Sequence, residues 1–178
     1  MSKILVTAFE PFALSGFLRK ANASNDILNL LRADFKDGHF LKLPVSVEAD
    51  KLLRTHLDKE RPDGILCMGE DLLMLPGVVK LEPFAYDCRP TLNFLAPKQY
   101  KNTLASVFAQ SVTPTENQST IGTYYCNSLY KTALQWAAEN GAVPVGFAHV
   151  SVLGNRKQQS DKVMALLGHM SSQMAKPG

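Results

Sequence analysis

The sequence predicts an α/β fold in which a mostly parallel sheet is covered by helices on both faces. Short apolar, β-branched segments alternate along the chain with longer segments of helical periodicity. These apolar segments carry few charges, which is typical of strands buried on both faces. The length of 178 residues suits one domain, residues 1–178, which can bury roughly two thirds of its unfolded surface.

The first half of the chain alternates between predicted strands and predicted helices. Residues 3–9 (KILVTAF) form a buried strand that Pro11 ends. After a loop through Gly16, either Asn22 or Ser24 caps a helix that runs to about residue 35. The next elements are a strand at 39–44, a helix at 46–60 with Val47, Leu52, Leu53 and Leu57 inward, and a strand at 65–68 that ends in Gly69.

The second half contains a weakly patterned segment between better defined elements. Residues 70–77 are predicted as a loop, and residues 78–86 as an extended segment. Residues 87–118 carry the weakest pattern, with one short helix near 101–109. The remaining elements are a strand at 120–125, a helix from Cys126 or Asn127 to Asn140, a strand at 143–150 and a helix at about 157–170.

The composition excludes several classes of protein. Hydrophobic residues make up 46% and charged residues 20%, and the net charge is +3 with scattered lysines and arginines. We therefore expect no nucleic-acid or membrane partner. The three cysteines show neither a disulfide framework nor metal-ligand spacing, so neither a metal nor another cofactor is expected. The N-terminus lacks the apolar core of a signal peptide, which favours a reducing cytoplasmic location.

Polar residues follow several of the predicted strands, where the active sites of parallel sheets form. These features are Glu10, Gly69-Glu70, Cys126 and His149. These residues cluster at one edge of the sheet if the strand order places their strands side by side. This predicted clustering is the strongest sign of function that the residues give by themselves.

Cys126 and His149 are the candidate nucleophile and base. Cys126 is predicted at a strand-to-helix junction, where the helix N-terminus stabilises a thiolate and its N–H groups bind an oxyanion. His149 comes one helix and one strand later, and a right-handed β-α-β unit brings it beside Cys126. The alternative is that each is a core residue, as most buried cysteines and many strand histidines are.

Other candidates surround this pair. Glu82 lies in the apolar segment VVKLEPFAY, where it either orients His149 or sits exposed on an edge strand. Phe9 and Phe12 flank Glu10-Pro11 and either wall a small apolar pocket or pack in the core. Asn22 either binds a ligand there or caps the following helix. Cys67 and Cys88 are interpreted as structural.

Six segments together resemble the pyroglutamyl peptidase I (pyrrolidone carboxyl peptidase) family of cysteine peptidases. They are KILVTAFEPF, LPV at 43–45, RPDGILCMG, the segment of Glu82, IGTYYCNSLYKTAL and GFAHV, in the same order as in the family. The resemblance implies a three-layer α/β/α sandwich and a Cys126–His149–Glu82 triad. It also implies a pocket for the pyroglutamyl ring lined by Phe9 and Phe12. The implied substrate is a peptide with a blocked N-terminus, and the implied assembly is a homo-oligomer without cofactor.

The sequence departs from the family pattern around this pocket. Ala13-Leu14 replaces a Gly-Gly pair, and GEDLLMLPGVV replaces a Gly-rich loop that ends in Arg. Glu70 stands near a polar position that typical members use for substrate, and Arg89 is a candidate near the oxyanion. The departures keep two alternatives open: a thiol amidohydrolase of another small amide or lactam, and a non-catalytic binding module.

Overall fold

A computed structural model describes residues 3–11, 13–14, 17–18, 21–86, 99–101, 121–122 and 124–174. The strands within these ranges are β1 Ile4–Phe9, β2 Ala13–Leu14, β3 Phe17–Leu18, β4 Gly38–Leu43, β5 Gly64–Asp71, β6 Val79–Leu81, β7 Phe84–Tyr86, β8 Gln99–Lys101 and β9 Val145–Ser151. The helices are α1 Ala23–Asp34, α2 Glu48–Glu60, α3 Tyr125–Glu139 and α4 Arg156–Met174.

The main sheet has the strand order β4-β1-β5-β9-β6. Neighbours among β4, β1, β5 and β9 run parallel, and β6 pairs antiparallel with β9 at one edge. Two small antiparallel pairs, β2-β3 and β7-β8, lie outside this sheet. The predicted mostly parallel sheet is confirmed.

Helices cover both faces of the sheet because alternate strand residues point to opposite sides. Ile4 and Val6 of β1 pack in a core cluster with residues of α1 and α4. Leu5 and Phe9 of the same strand pack in a second cluster with residues of α2 and α3. The three-layer α/β/α sandwich is therefore confirmed.

Two sequence predictions about individual elements are wrong. The strand at 120–125 does not form in its described part, because Gly122 adopts a left-handed φ of 69° and Tyr125 already begins α3. In α2, Val47 and Leu52 are exposed rather than inward. The helix begins only at Glu48, and its buried stripe follows the i, i+4 spacing of Ala49, Leu53 and Leu57.

Two other segments are more regular than predicted. Strand β5 continues through Glu70 to Asp71, because these residues pair with Val150 and Ser151 of β9. Part of the predicted loop after Pro11 forms the β2-β3 pair. The short helix predicted near 101–109 lies outside the described residues, except that Lys101 ends β8. Within the described ranges, no helix has the length and apolar character required to cross a membrane.

Candidate active site

A buried carboxylate and an imidazole meet at the edge of the main sheet. His149 Nδ1 lies 2.8 Å from Glu82 Oε1, and both side chains are almost completely buried. The Glu82 backbone N–H donates to the Phe147 carbonyl at 2.8 Å, which fixes the segment after β6 against β9. The alternative of an exposed Glu82 on an edge strand is therefore wrong.

Cys126 completes a hydrogen-bonded chain with this pair. It is the second residue of α3, is half-buried, and forms a side-chain hydrogen bond with His149. Because Nδ1 of His149 is bonded to Glu82, Nε2 is the nitrogen left for the sulfur. The predicted position of Cys126 at a helix start is correct, although a turn rather than a strand precedes it.

The protonation of His149 follows from its two partners. Burial lowers the pKa of His149, but the hydrogen bonds to Cys126 and Glu82 raise it, and the net pKa is about 10. The imidazole is therefore positively charged at neutral pH. By contrast, burial raises the pKa of Cys67 to about 12, which makes that thiol unreactive and agrees with its structural interpretation.

The first turn of α3 supplies backbone donors beside the nucleophile. The N-cap residue Tyr124 makes no side-chain capping bond, and the first helical bond runs from Ser128 N to Tyr124 O at 3.1 Å. The N–H groups of the first turn have no acceptor within a helix. Groups of this kind stabilise a developing oxyanion, and the dipole at this end also favours a thiolate.

Gly69 makes room for the sulfur. A Cβ at this position would lie 2.9 Å from Cys126 Sγ and 3.0 Å from Phe147 Cζ. The first distance is shorter than real Cβ contacts and the second is at their lower limit, so an added methyl group would require the sulfur or the Phe147 ring to shift. Sequence reasoning noted Gly69 as the end of a strand and missed this role.

Hydrogen bonds from α3 hold the nucleophile and the carboxylate together. The buried amide of Asn127 accepts from Tyr86 N at 2.7 Å and donates to Tyr86 O at 3.0 Å. One turn later, the Tyr130 hydroxyl donates to the Glu82 carbonyl at 3.1 Å. Sequence reasoning missed both residues, because neither carries a signal apart from its closeness to Cys126.

A second cation lies near the buried carboxylate. Lys80 Nζ is 3.7 Å from Glu82 Oε1, and Lys80 pairs with His149 in the β6-β9 register. Lys80 and His149 are therefore both positively charged neighbours of Glu82, and they offset the cost of burying its charge. The interaction arises from strand pairing between distant segments and has no local sequence signal.

Two predicted substrate residues, Asn22 and Glu70, lie at the start of α1, and a third, Phe9, packs with α2 and α3 on the other face of the sheet. Asn22 caps α1, since its Oδ1 accepts from Ser24 N at 3.0 Å and its Nδ2 donates to Glu10 O at 3.3 Å. Glu70 Oε2 accepts from Ala23 N at 2.9 Å at the same helix end. Phe9 is buried in the core. These contacts favour the capping and packing alternatives, and the substrate roles stay predictions.

Three residues singled out from the sequence, Phe12, Cys88 and Arg89, lie outside the described residues. Within the described ranges, no group of three or more His, Cys, Asp or Glu side chains is arranged to hold a metal ion.

The fold is similar to solved peptidase structures. A mutant pyrrolidone carboxyl peptidase from Pyrococcus furiosus superposes with a TM-score of 0.73 at 19% identity, covering 96% of this chain and 99% of the other. Bacillus amyloliquefaciens pyroglutamyl peptidase I gives 0.69 at 17% identity, covering 92% and 93%. The pyrrolidone carboxyl peptidase of Thermococcus litoralis gives 0.65 at 20% identity, covering 95% and 96%.

The likeness extends over nearly the whole length of each chain, so the fold is shared from end to end. No family model and no curated protein matches the sequence. At these identities the comparison shows the fold, whereas the activity has to be argued from the site.

Proposed function

We propose that the protein is a cysteine peptidase that removes an N-terminal pyroglutamyl residue from peptides. The observation that supports this most directly is the hydrogen-bonded chain from Cys126 through His149 to Glu82 at the N-terminus of α3. A nucleophile, a base and an orienting carboxylate in this order are the parts of a covalent hydrolysis mechanism.

In the proposed reaction, the Cys126 thiolate attacks the carbonyl carbon that joins the pyroglutamyl residue to the peptide. The N–H groups of the first turn of α3 stabilise the resulting oxyanion. His149 gives its proton to the leaving amine, and a thioester remains on Cys126. His149 then accepts a proton from water, which attacks the thioester and releases pyroglutamate. Throughout, Glu82 holds the imidazole ring of His149 in place and balances its positive charge.

The choice of substrate rests on two independent similarities. Six sequence segments resemble the pyroglutamyl peptidase I family, and they include the segments that carry Cys126, His149 and Glu82. The fold is that of structures named pyrrolidone carboxyl peptidase or pyroglutamyl peptidase I. We further propose a cytoplasmic location, a homo-oligomeric assembly, and peptides with a blocked N-terminus as the partners.

Release of dye from pyroglutamyl-aminomethylcoumarin tests the proposal. We expect turnover by the wild type and a loss of at least 10³-fold, on the order found for removal of a catalytic nucleophile, in Cys126→Ala. Cys67→Ala is the matched control, because its thiol is buried and unreactive, and it should retain turnover per folded molecule. Equal release by the wild type and Cys126→Ala would contradict the proposal.

A second candidate keeps the chemistry and changes the substrate to another small amide or lactam. It is favoured by the segment GEDLLMLPGVV, which begins at Gly69 beside the nucleophile and departs from the family pattern. A panel of N-blocked amides separates the two candidates, since activity on the panel without pyroglutamyl activity favours the second. If Cys126 reacts with iodoacetamide no faster than an ordinary thiol at pH 7, a non-catalytic binding module is favoured instead.

A further inference from the structure

A patch of exposed leucines lies beyond the proposed active site. Leu73 and Leu75 are 94% and 75% exposed, and both lie in the loop after β5. Leu72 in the same loop and Leu153 in the loop after β9 are exposed as well. We call these four residues the leucine patch. Exposed apolar side chains that cluster in this way are typical of a surface that binds something.

The leucine patch begins where the active site ends. In the β5-β9 register Gly69 pairs with His149, so both loops leave the sheet just past the reacting groups. Leu72 is three residues beyond Gly69, and Leu153 is four residues beyond His149. At about 3.3 Å per residue, Leu72 and Leu153 lie within roughly 10–13 Å of these positions along the chain, a span of three or four extended peptide residues.

Hydrogen bonds hold the two loops together. Ser151 Oγ donates to the Met74 carbonyl at 3.1 Å, and Gly77 N donates to the Leu153 carbonyl at 2.8 Å. The backbone of Gly154 packs so closely on Gly77 that a Cβ on Gly154 would lie 2.4 Å from Gly77 N. The leucine patch is thus built on a braced surface, which reduces the entropy that the two loops must lose when a ligand binds.

The direction of the reaction decides which part of a substrate reaches the patch. His149 must protonate the leaving amine, so the peptide that follows the cleaved bond leaves on the side of His149. Strand β9 carries His149 and continues directly into the loop of Leu153. In the proposed reaction, a peptide that leaves on the side of His149 has the loop of Leu153 as the next surface beyond β9.

From this arrangement we infer that the leucine patch binds apolar side chains of the peptide that follows the pyroglutamyl residue. This inference rests on the proposed function and adds a substrate class to it: peptides whose second to fourth residues are apolar. Apolar contacts at a braced surface favour such peptides over polar peptides of the same length. The preference concerns the side chains of the leaving peptide. Pyroglutamyl-aminomethylcoumarin lacks those side chains, so its hydrolysis should not depend on the leucine patch.

The test compares two peptides of equal length, pyroglutamyl-Leu-Leu-Leu-amide and pyroglutamyl-Ser-Ser-Ser-amide, by release of free amine. We expect the wild type to show a kcat/KM about tenfold higher for the leucine peptide. The double variant Leu73→Ser/Leu75→Ser should reduce this preference to within about twofold and leave hydrolysis of pyroglutamyl-aminomethylcoumarin unchanged. The control Val47→Ser/Leu52→Ser alters two exposed apolar residues outside both loops, one directly before α2 and one on it, and should keep the preference.

The outcomes separate this inference from the proposed function. If the wild type hydrolyses neither the dye substrate nor either peptide, the proposed function fails. If it hydrolyses the dye substrate but cleaves both peptides equally well, only the leucine patch assignment is wrong. The assignment is also wrong if the double variant keeps the preference for the leucine peptide. If light scattering then shows that a wild-type dimer has become a monomer in the double variant, the patch binds a second copy of the chain.

Discussion

Two regions of the proposed active site use buried polar side chains in opposite ways. Around the nucleophile, Glu82 and His149 are hydrogen-bonded to each other, and this series of hydrogen bonds ends at the half-buried sulfur of Cys126. In the corner between β1 and α1, Asn22 and Glu70 are bonded to the backbone at the start of a helix. The first set directs its bonds at a reactive atom, and the second satisfies the orphan groups of a helix end.

This difference indicates which sequence signals carry chemistry. A buried polar residue has to be satisfied, and a helix end is the commonest place to satisfy it. The hydrogen-bonded residues at Cys126 are different because they alter one another's ionisation. Glu82 and Cys126 raise the pKa of His149, and the charge of His149 balances that of Glu82. We therefore expect substitutions in the nucleophile region to alter activity and substitutions in the corner to alter stability.

Among substitutions that keep the nucleophile, Glu82→Gln should have the largest effect on activity. It keeps the shape of the side chain but removes a charge that raises the pKa of His149, so that pKa should fall. We expect kcat/KM to fall on the order of 10³-fold, with the alkaline limb of its pH profile shifted to lower pH. Glu48→Gln, on an exposed carboxylate of α2, is the control. An unchanged alkaline limb would show that Glu82 does not act through His149.

Gly69→Ala should produce the next largest loss. The added methyl group would lie 2.9 Å from Cys126 Sγ, so the sulfur must move out of line with His149. A displacement of about 1 Å costs roughly 10²-fold in kcat, and we expect a loss of that order in dye release. Gly168→Ala is the matched control, because a Cβ at Gly168 in α4 would contact nothing within 4 Å. Equal activity of the two variants would mean that Gly69 is not needed for the geometry of the nucleophile.

The charge on His149 should also make stability depend on pH. Its folded pKa of about 10 lies above the ordinary value of 6.5, so the folded protein holds the proton more tightly than the unfolded chain. This contribution is fully present below pH 6.5 and is lost as the pH rises toward 10. We expect the Tm difference between the wild type and His149→Gln to narrow by roughly 5 °C between pH 7 and pH 9.5. A constant difference would show that His149 is not held as the cation.

The sequence predicts most of the fold because its strands and helices carry strong local patterns. The segment KILVTAF is apolar on both faces and forms β1, and the stripe of α1 follows its apolar residues. The strand expected at 120–125 fails for a local reason, since Gly122 turns the chain where the tyrosines favour a strand. Extension of β5 to Asp71 was not predictable, because it depends on pairing with a strand far along the chain.

The candidate site was predictable to a smaller extent. Cys126 and His149 follow from a helix start and the next strand, and Glu82 from an acidic residue within an apolar segment. The resemblance to a peptidase family joins these three residues. The contacts of Gly69, Lys80 and Asn127 come from tertiary packing between distant segments, and no local pattern marks them.

Two asparagines give the most sensitive test of the comparison, because both are buried and bonded to backbone atoms. Asn22 caps α1 in the corner, whereas Asn127 joins the first turn of α3 to Tyr86. Loss of a cap costs about 1 kcal/mol, so Asn22→Ala should lower the Tm by about 2–4 °C and leave kcat within about twofold.

Asn127→Ala should lower the Tm to a similar extent but also reduce kcat by about tenfold, because it frees the turn that holds Cys126. Thermal unfolding and dye release on the two variants provide both measurements. The reasoning is that a lost bond in the corner affects the fold alone, whereas the same loss beside the nucleophile also displaces a reacting atom. A large fall in kcat for Asn22→Ala at unchanged KM would overturn the division, and a rise in KM alone would restore Asn22 as a substrate-binding residue.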